Sequence, residues 1–203
     1  MTYDKQSLLD ALTRRGFQAH SFATAREAAD FVLGAIEPTQ SVGIGGSVTV
    51  EQMGLYPALT ERGNTVYWHW KDANAEAARR AAMNADVYLC SANALTESGR
   101  ILNIDGTGNR LAATLYGPPR VFFLIGENKI CADENAMDRA KTHACPPNAR
   151  RLSLDTPCAR LNRCVAPEGC RSPQRMCAAT VTLERARRGC ETHVVVIGEA
   201  LGY

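Results

Sequence analysis

The stretch from Thr156 to Cys177 constrains this chain most. T-P-C-A-R-L-N-R-C-V-A-P-E-G-C-R-S-P-Q-R-M-C holds four of the eight cysteines, Cys158, Cys164, Cys170 and Cys177, separated by five, five and six residues. Pro157, Pro167, Gly169 and Pro173 interrupt it, so neither a long helix nor a central strand runs through. A segment this poor in large apolar residues cannot hold itself by burying a core. Something must tie the four sulfurs together, and the candidates are an iron–sulfur cluster, zinc and disulfides.

Compartment narrows the choice. The opening residues are charged and carry no apolar run, so nothing reads as a signal peptide. No apolar segment approaches the roughly 20 residues of a membrane span. The expected setting is cytoplasmic, where structural disulfides are rare. A formal net charge of +2 gives no global field pointing to nucleic acid. The 203 residues suffice for one buried core, so the expectation is a single domain over 1–203 that includes the arm at 156–177.

Ahead of the arm, helices and strands alternate. Asp4 to Arg15 reads as a short amphipathic helix on Leu8, Leu9 and Leu12, and Phe17 to Phe22 as a strand. Thr24 with Glu27 fits a capping box that opens the next helix. In S-V-G-I-G-G-S-V-T a strand on Val42 and Ile44 runs into Gly45, Gly46 and Ser47. Glycines expose consecutive N–H groups, and a following helix start adds positive charge, so these three are candidates to cradle an anion. The plain alternative is a strand–turn–helix with Ser47 as N-cap. Neither a Walker motif nor a dinucleotide glycine fingerprint is present.

Thr65 to Trp70 reads as a strand holding His69, and Asp72 as the cap of the helix that follows. After the strand Asp86 to Cys90 comes A-N-A-L-T-E-S-G-R-I-L-N-I-D-G-T-G-N-R, polar and glycine-rich. Such a segment lies where α/β folds bind ligands, beyond the carboxyl ends of the strands. Glu97 and Asp105 are candidate acid–base groups there, and Arg110 a partner for an anionic substrate. The alternative is a solvated hairpin with Ile101, Leu102 and Ile104 as its buried side. Arg120 to Gly126 is a continuous apolar run, the mark of a strand buried on both faces of a parallel sheet. Asn128 and Lys129 follow at a ligand-facing edge. Asp133 opens a helix that Cys145-Pro146-Pro147 stops, and Thr180 to Arg185 and His193 to Ile197 read as closing strands. The alternation predicts a three-layer α/β fold with an open, mostly parallel sheet.

With these segments in view, the sequence resembles the LUD family, the lactate-utilisation domain of the L-lactate oxidation proteins. The resemblance rests on V-G-I-G-G-S-V-T, A-L-T-E-S-G-R-I-L-N-I-D-G-T-G-N-R, F-L-I-G-E-N-K-I, P-P-N-A-R-R-L, T-P-C, S-P-Q-R-M-C and the terminal G-E-A-L-G-Y. It implies a fold like that of ribose-5-phosphate isomerases and CoA transferases, an open sheet wrapped by helices. In that case Gly45-Gly46-Ser47 matches an anion-binding turn, and Thr96-Glu97-Ser98-Gly99 is similar to the segment carrying the CoA-transferase glutamate. The cysteine arm resembles that of a family subset whose second and third cysteines stand closer together than Cys164 and Cys170, which makes Cys170 the weakest ligand.

Zinc favours paired ligands two to four residues apart, and no C-x-x-C occurs. Iron–sulfur clusters accept wider spacing, and Arg160, Arg163, Arg171 and Arg175 suit the negative charge of four bound thiolates. The expectation is a [4Fe–4S] cluster on Cys158, Cys164, Cys170 and Cys177, with zinc as the alternative and Cys131 and Cys145, which flank one helix, as reserve or replacement ligands. Two functions follow. One is a redox component in oxidation of L-lactate or a similar 2-hydroxy acid, working with redox partner subunits. The other is a stand-alone enzyme on a small anionic metabolite, its cluster structural or Lewis-acidic. Neither nucleic acid nor membrane is an expected partner, and a homodimer is compatible with either.

Overall fold

The computed structural model describes residues 3–165 and 170–203; Pro167 and Gly169 lie outside the described residues. The chain opens with α1 (Lys5–Arg14), capped by Asp4, then β1 (Gln18–Phe22) and α2 (Ala25–Ala35). The capping box is present: Thr24 Oγ1 accepts the Glu27 N–H at 3.2 Å and Glu27 returns a carboxylate to the Thr24 N–H at 3.1 Å. Next come β2 (Val42–Ile44), α3 (Val48–Gln52), α4 (Leu55–Glu61) and β3 (Val66–Trp68). Asn74, not Asp72, caps α5 (Ala75–Ala82); Asp72 instead accepts the Asn74 N–H at 2.8 Å and shapes the preceding turn. The middle of the chain holds β4 (Val87–Cys90), β5 (Ala94–Thr96), β6 (Ile101–Asp105), α6 (Asn109–Leu115) and β7 (Arg120–Gly126).

Among the described residues the strands form two sheets. Once β10 (Glu191–Ile197) is added, the main sheet has six parallel strands in the order β1-β10-β7-β4-β2-β3. Alternate residues of its central strands feed two cores. Phe122, Leu124, Val195 and Ile197 meet α2, α3 and α4 on one face. Val121, Phe123, Ile125, Val194 and Val196 meet α1, α5 and α6 on the other. Apolar cover on both faces is why β7 and β10 read as unbroken apolar runs.

The second sheet was not expected as such. β8 (Ile130–Cys131), β5, β6 and β9 (Ala179–Leu183) lie side by side, with β5–β6 and β6–β9 antiparallel. The closing strand around Thr180 therefore does not join the main sheet. Its residues are exposed or only half-buried, which fits an edge position and not a two-sided core.

A further departure follows β8. The expected helix from Asp133 begins with a 3₁₀ turn, continues as α7 (Ala136–Arg139), and widens into a π turn over Ala140–Ala144. It passes straight into α8 (Cys145–Arg151). Pro146 and Pro147 thus start a helix where they were expected to stop one. Proline is tolerated in a first turn because its missing N–H has no helical partner there, and the π turn absorbs the change of register. The arm itself contributes the five-residue α9 (Pro157–Leu161), capped by Thr156 and ended by Asn162 at φ 54°. No helix among the described residues is long and apolar enough to cross a membrane.

Candidate functional site

Strands β2, β3, β4 and β7 end at one edge of the main sheet, and the segments leaving them line a cavity of about 480 Å³. Gly46 and Ser47 come from β2, His69 and Trp70 from β3, Ser91 and Asn93 from β4, and Lys129 from the turn after β7. Asp105 and Arg110 close one side, and Pro173 to Met176 of the cysteine arm close another. The arm is held there by its own continuation into β9. The Ala178 N–H donates to the Asp105 carbonyl at 3.1 Å, and a Cβ on Gly106 would stand 3.0 Å from both Cα and O of Met176.

Five cationic side chains reach this wall, Arg79, Arg110, Lys129, Arg151 and Arg175, against one carboxylate side chain, Asp105. Arg110 is braced: Nη2 donates to Asn93 Oδ1 at 3.0 Å and to the Ile104 carbonyl at 2.7 Å, while Nε stands 3.8 Å from Asp105 Oδ2. Arg151 stacks on the Trp70 ring at 4.2 Å, which in turn stacks on Trp68. Arg79 brings a buried Nε–H without a partner. A buried donor without an acceptor is costly, although the same guanidinium also pairs through Nη1 with Glu76 at 3.6 Å. Burial, reinforced by Arg79, lowers the His69 pKa, which favours a neutral ring.

Lys129 is only 3% exposed. Its ammonium donates to two hydroxyls, Thr49 Oγ1 at 2.7 Å and Ser91 Oγ at 2.8 Å. Thr49 passes its own proton to the Leu201 carbonyl at 3.2 Å. Burial first, then Arg139 and Arg110, pulls the lysine down to about 7, with the Cys90 thiol a weaker opposing influence.

The glycine turn is shaped by its close neighbours. Neither Gly45 nor Gly46 has a positive φ. A Cβ at Gly45 would stand 2.9 Å from the Tyr88 hydroxyl, so that glycine is there for close approach, whereas one at Gly46 would meet the Trp70 ring at 3.4 Å, an ordinary contact. The Ser47 hydroxyl is committed to the Val50 N–H as the cap of α3.

Three of the expected residues, Gly45, Glu97 and Asn128, do not line this cavity. Glu97 lines a separate cavity of about 840 Å³ with Glu127, Asp138, Arg139 and His143. Its Thr96-Glu97-Ser98-Gly99 segment is a built turn. Thr96 Oγ1 and Ser98 Oγ are 3.1 Å apart, Ser98 bonds Asp133, and Gly99 at φ 85° packs its Cα side on the backbone of α1. Asn128 also lines that second cavity, and its side-chain oxygen accepts the Leu201 N–H at 3.1 Å, anchoring the C-terminal segment.

The thiols gather behind the arm's cavity wall. Cys145, at the start of α8, and Cys177 hydrogen-bond to each other, which raises the Cys145 pKa and lowers that of Cys177. Burial adds to the rise at Cys145, and Arg175 Nε, 3.1 Å from Cys177 Sγ, adds to the fall. Cys158 and Cys164 act on Cys145 electrostatically, and Cys170 acts on Arg175. Cys131 shares a buried cluster with Cys145, against which Cys177 packs, and burial raises its thiol pKa. Among the described residues, no three His, Cys, Asp or Glu side chains are closed around one metal position. The arm thus gathers its sulfurs without forming a finished ligand shell.

The LUD domain family matches residues 6–197. The chain is a LUD-domain protein. A solved structure of a DUF162 family protein from Deinococcus radiodurans is similar over 95% of each chain, with a TM-score of 0.54 and 13% identity, a likeness that speaks for the fold alone. No curated protein matches the chain. In this LUD domain, residue-by-residue reading missed Arg79, Arg151 and Trp70, which carry no local signal of sharing a cavity. Arg175 was read only as company for the thiols. For Cys145 the one available signal was that it flanks the helix leading to the arm.

Proposed function

We propose that this LUD domain is an iron–sulfur redox component in the oxidation of L-lactate or a similar small 2-hydroxy acid. The observation that carries the reading is adjacency: Arg175 and Met176 wall the cation-rich cavity, and Cys177 follows them directly in the thiol group. A 2-hydroxy acid offers a carboxylate for Arg110 and Arg151 and a hydroxyl for Asp105 or the neutral ring of His69.

The donor set suits an iron–sulfur cluster. Cys158, Cys164 and Cys177 all act on the Cys145 thiol, and Arg175 favours thiolate at Cys177. These four cysteines are the proposed ligands. Cys170, linked to the group through Arg175, is the outer thiol. When bound, the cluster supplies one-electron capacity beside the cavity. The chain's own residues bind and orient the acid, and Asp105 and His69 stand ready to take its hydroxyl proton.

Anaerobic purification tests this. Brown protein with about four irons per chain, and an electron-paramagnetic signal perturbed by L-lactate, are expected. Colourless protein carrying one zinc would overturn the reading. A second reading, a stand-alone enzyme with a structural metal, is favoured by the buried Lys129; turnover that survives oxidative loss of the cluster would select it.

A further inference from the structure

We propose that Lys129 is a carbonyl-capturing amine, which condenses with a small 2-oxo acid held in the Gly46–Asp105–Arg110 cavity to form an imine. The choice of a 2-oxo acid rests on the proposed function, because it is the oxidation product of a 2-hydroxy acid. The amine and its cavity stand independently of that reading.

The geometry comes first. Lys129 is buried in the wall of a cavity whose other cationic side chains are all arginines, and its two partners are hydroxyls at 2.7 and 2.8 Å. A lysine kept as a structural cation is normally paired with a carboxylate; a nucleophilic one is desolvated beside other cations. The charged and titratable groups acting on Lys129 are Arg139, Arg110 and Cys90, and the two arginines disfavour its charged form. Thr49 is oriented by the Leu201 carbonyl, so its oxygen accepts from the lysine. The Ser91 hydroxyl is then placed to give a proton to, or take one from, a reacting oxygen. Arg110 and Arg151 supply the carboxylate site that separates a 2-oxo acid from a neutral ketone.

The chemistry balances without a further reactant. The neutral amine attacks the carbonyl carbon, a C–N bond forms, and the carbonyl oxygen leaves as water with the two amine hydrogens. The product is a C=N bond to Lys129, opened again by the same water in reverse. No electron is transferred.

The test is reductive trapping on the protein as purified, metal included. Pyruvate and cyanoborohydride are added near neutral pH, and the adduct is mapped by mass spectrometry. Lys5, Lys71 and Lys141 are the internal references, the first two exposed and the third half-buried. An ordinary lysine is overwhelmingly charged at neutral pH. Lys129 is therefore expected to be labelled at least about tenfold faster than any of the three, and acetone should label it little. Labelling spread evenly over the four lysines, or none at Lys129, overturns the proposal. Lys129→Arg keeps a cation and cannot form the imine. It should abolish the adduct on that peptide while circular dichroism stays unchanged, and an adduct that persists there overturns the proposal. Iron content, read on the same sample, keeps the two readings apart. Iron-free protein that traps pyruvate at Lys129 sinks the cluster and supports the amine. Iron-replete protein that traps nothing does the reverse.

Discussion

Gly202 and Tyr203 line two cavities, and these differ in charge more than in size. The cavity with Lys129 gathers five cationic side chains against the Asp105 carboxylate. The other is larger and sets Glu97, Glu127 and Asp138 against Arg139 and His143. A small carboxylic acid is drawn to the first and repelled by the second, so volume alone would choose wrongly. The cavities also differ in their walls: the cysteine arm closes the first and takes no part in the second. Charge and arm together set the first cavity apart from the second.

The largest expected effect breaks the arm. Cys177→Ser should reduce bound iron from about four per chain to near zero, and Cys145→Ser should come close to it. Cys170→Ser should leave most of the iron, because Cys170 acts on Arg175 and is not among the influences on Cys145 or Cys177. Iron and sulfide analysis of the three variants, purified together under anaerobic conditions, checks this. Full iron in Cys145→Ser with none in Cys170→Ser would return the ligand set to the four arm cysteines.

Next in size is the contrast of charge. Arg110→Gln removes a braced guanidinium and should weaken L-lactate binding by about 10- to 100-fold, in line with a hydrogen bond to a charged group. Glu97→Gln should change it less than about twofold, since Glu97 lines the other cavity. Isothermal titration gives both numbers. An equal loss in the two variants would erase the distinction between the cavities.

The buried lysine gives a third test, on stability. A lysine whose folded pKa lies below its unfolded value penalises folding wherever it must be charged. For Lys129 the penalty is full below about 7 and fades as the pH climbs to the ordinary lysine value. Stability should therefore rise with pH through that window. Lys129→Met removes the slope and should stabilise the protein at neutral pH by on the order of 2 kcal/mol, after allowing for the lost bonds to Thr49 and Ser91. Urea unfolding at a series of pH values measures it; a destabilised Met variant would mean the lysine holds the fold together.

What the sequence revealed, and what it hid, follows from how far each signal reaches. Arg120 to Gly126 was legible because burial on both faces leaves an unbroken apolar run, and Thr24 with Glu27 because a capping box is local. Gly46, Ser47, Asp105, Arg110 and Lys129 were each placed at a strand end or in the polar segment that follows one, and the parallel sheet brings those ends to one edge. The meeting of Cys145 with Cys177 was hidden because the two lie 32 positions apart and a π turn joins the helices that lead to Cys145. That Glu97 lines a different cavity from Arg110 was hidden because a four-residue likeness does not show that its turn packs on α1. The burial of Lys129 was invisible in a residue type that is almost always exposed.

The smallest expected effect is the finest probe of how the arm shapes its cavity. Gly106→Ala puts a methyl group 3.0 Å from Cα and O of Met176, both backbone atoms that cannot rotate away. Ala178, bonded to the Asp105 carbonyl, limits the retreat. The arm must therefore give by a few tenths of an ångström, at a cost of about 1 kcal/mol or less. Global stability should barely change. L-lactate affinity should fall a few-fold, because Arg175 and Met176 move with the arm. Labelling of His143, which lines the Glu97 cavity, by a small histidine reagent should stay as it is. If affinity holds while the arm shifts, the arm is a neighbour of the anion site and not part of its wall. If affinity falls with His143 labelling unchanged, the arm shapes one cavity and leaves the other alone.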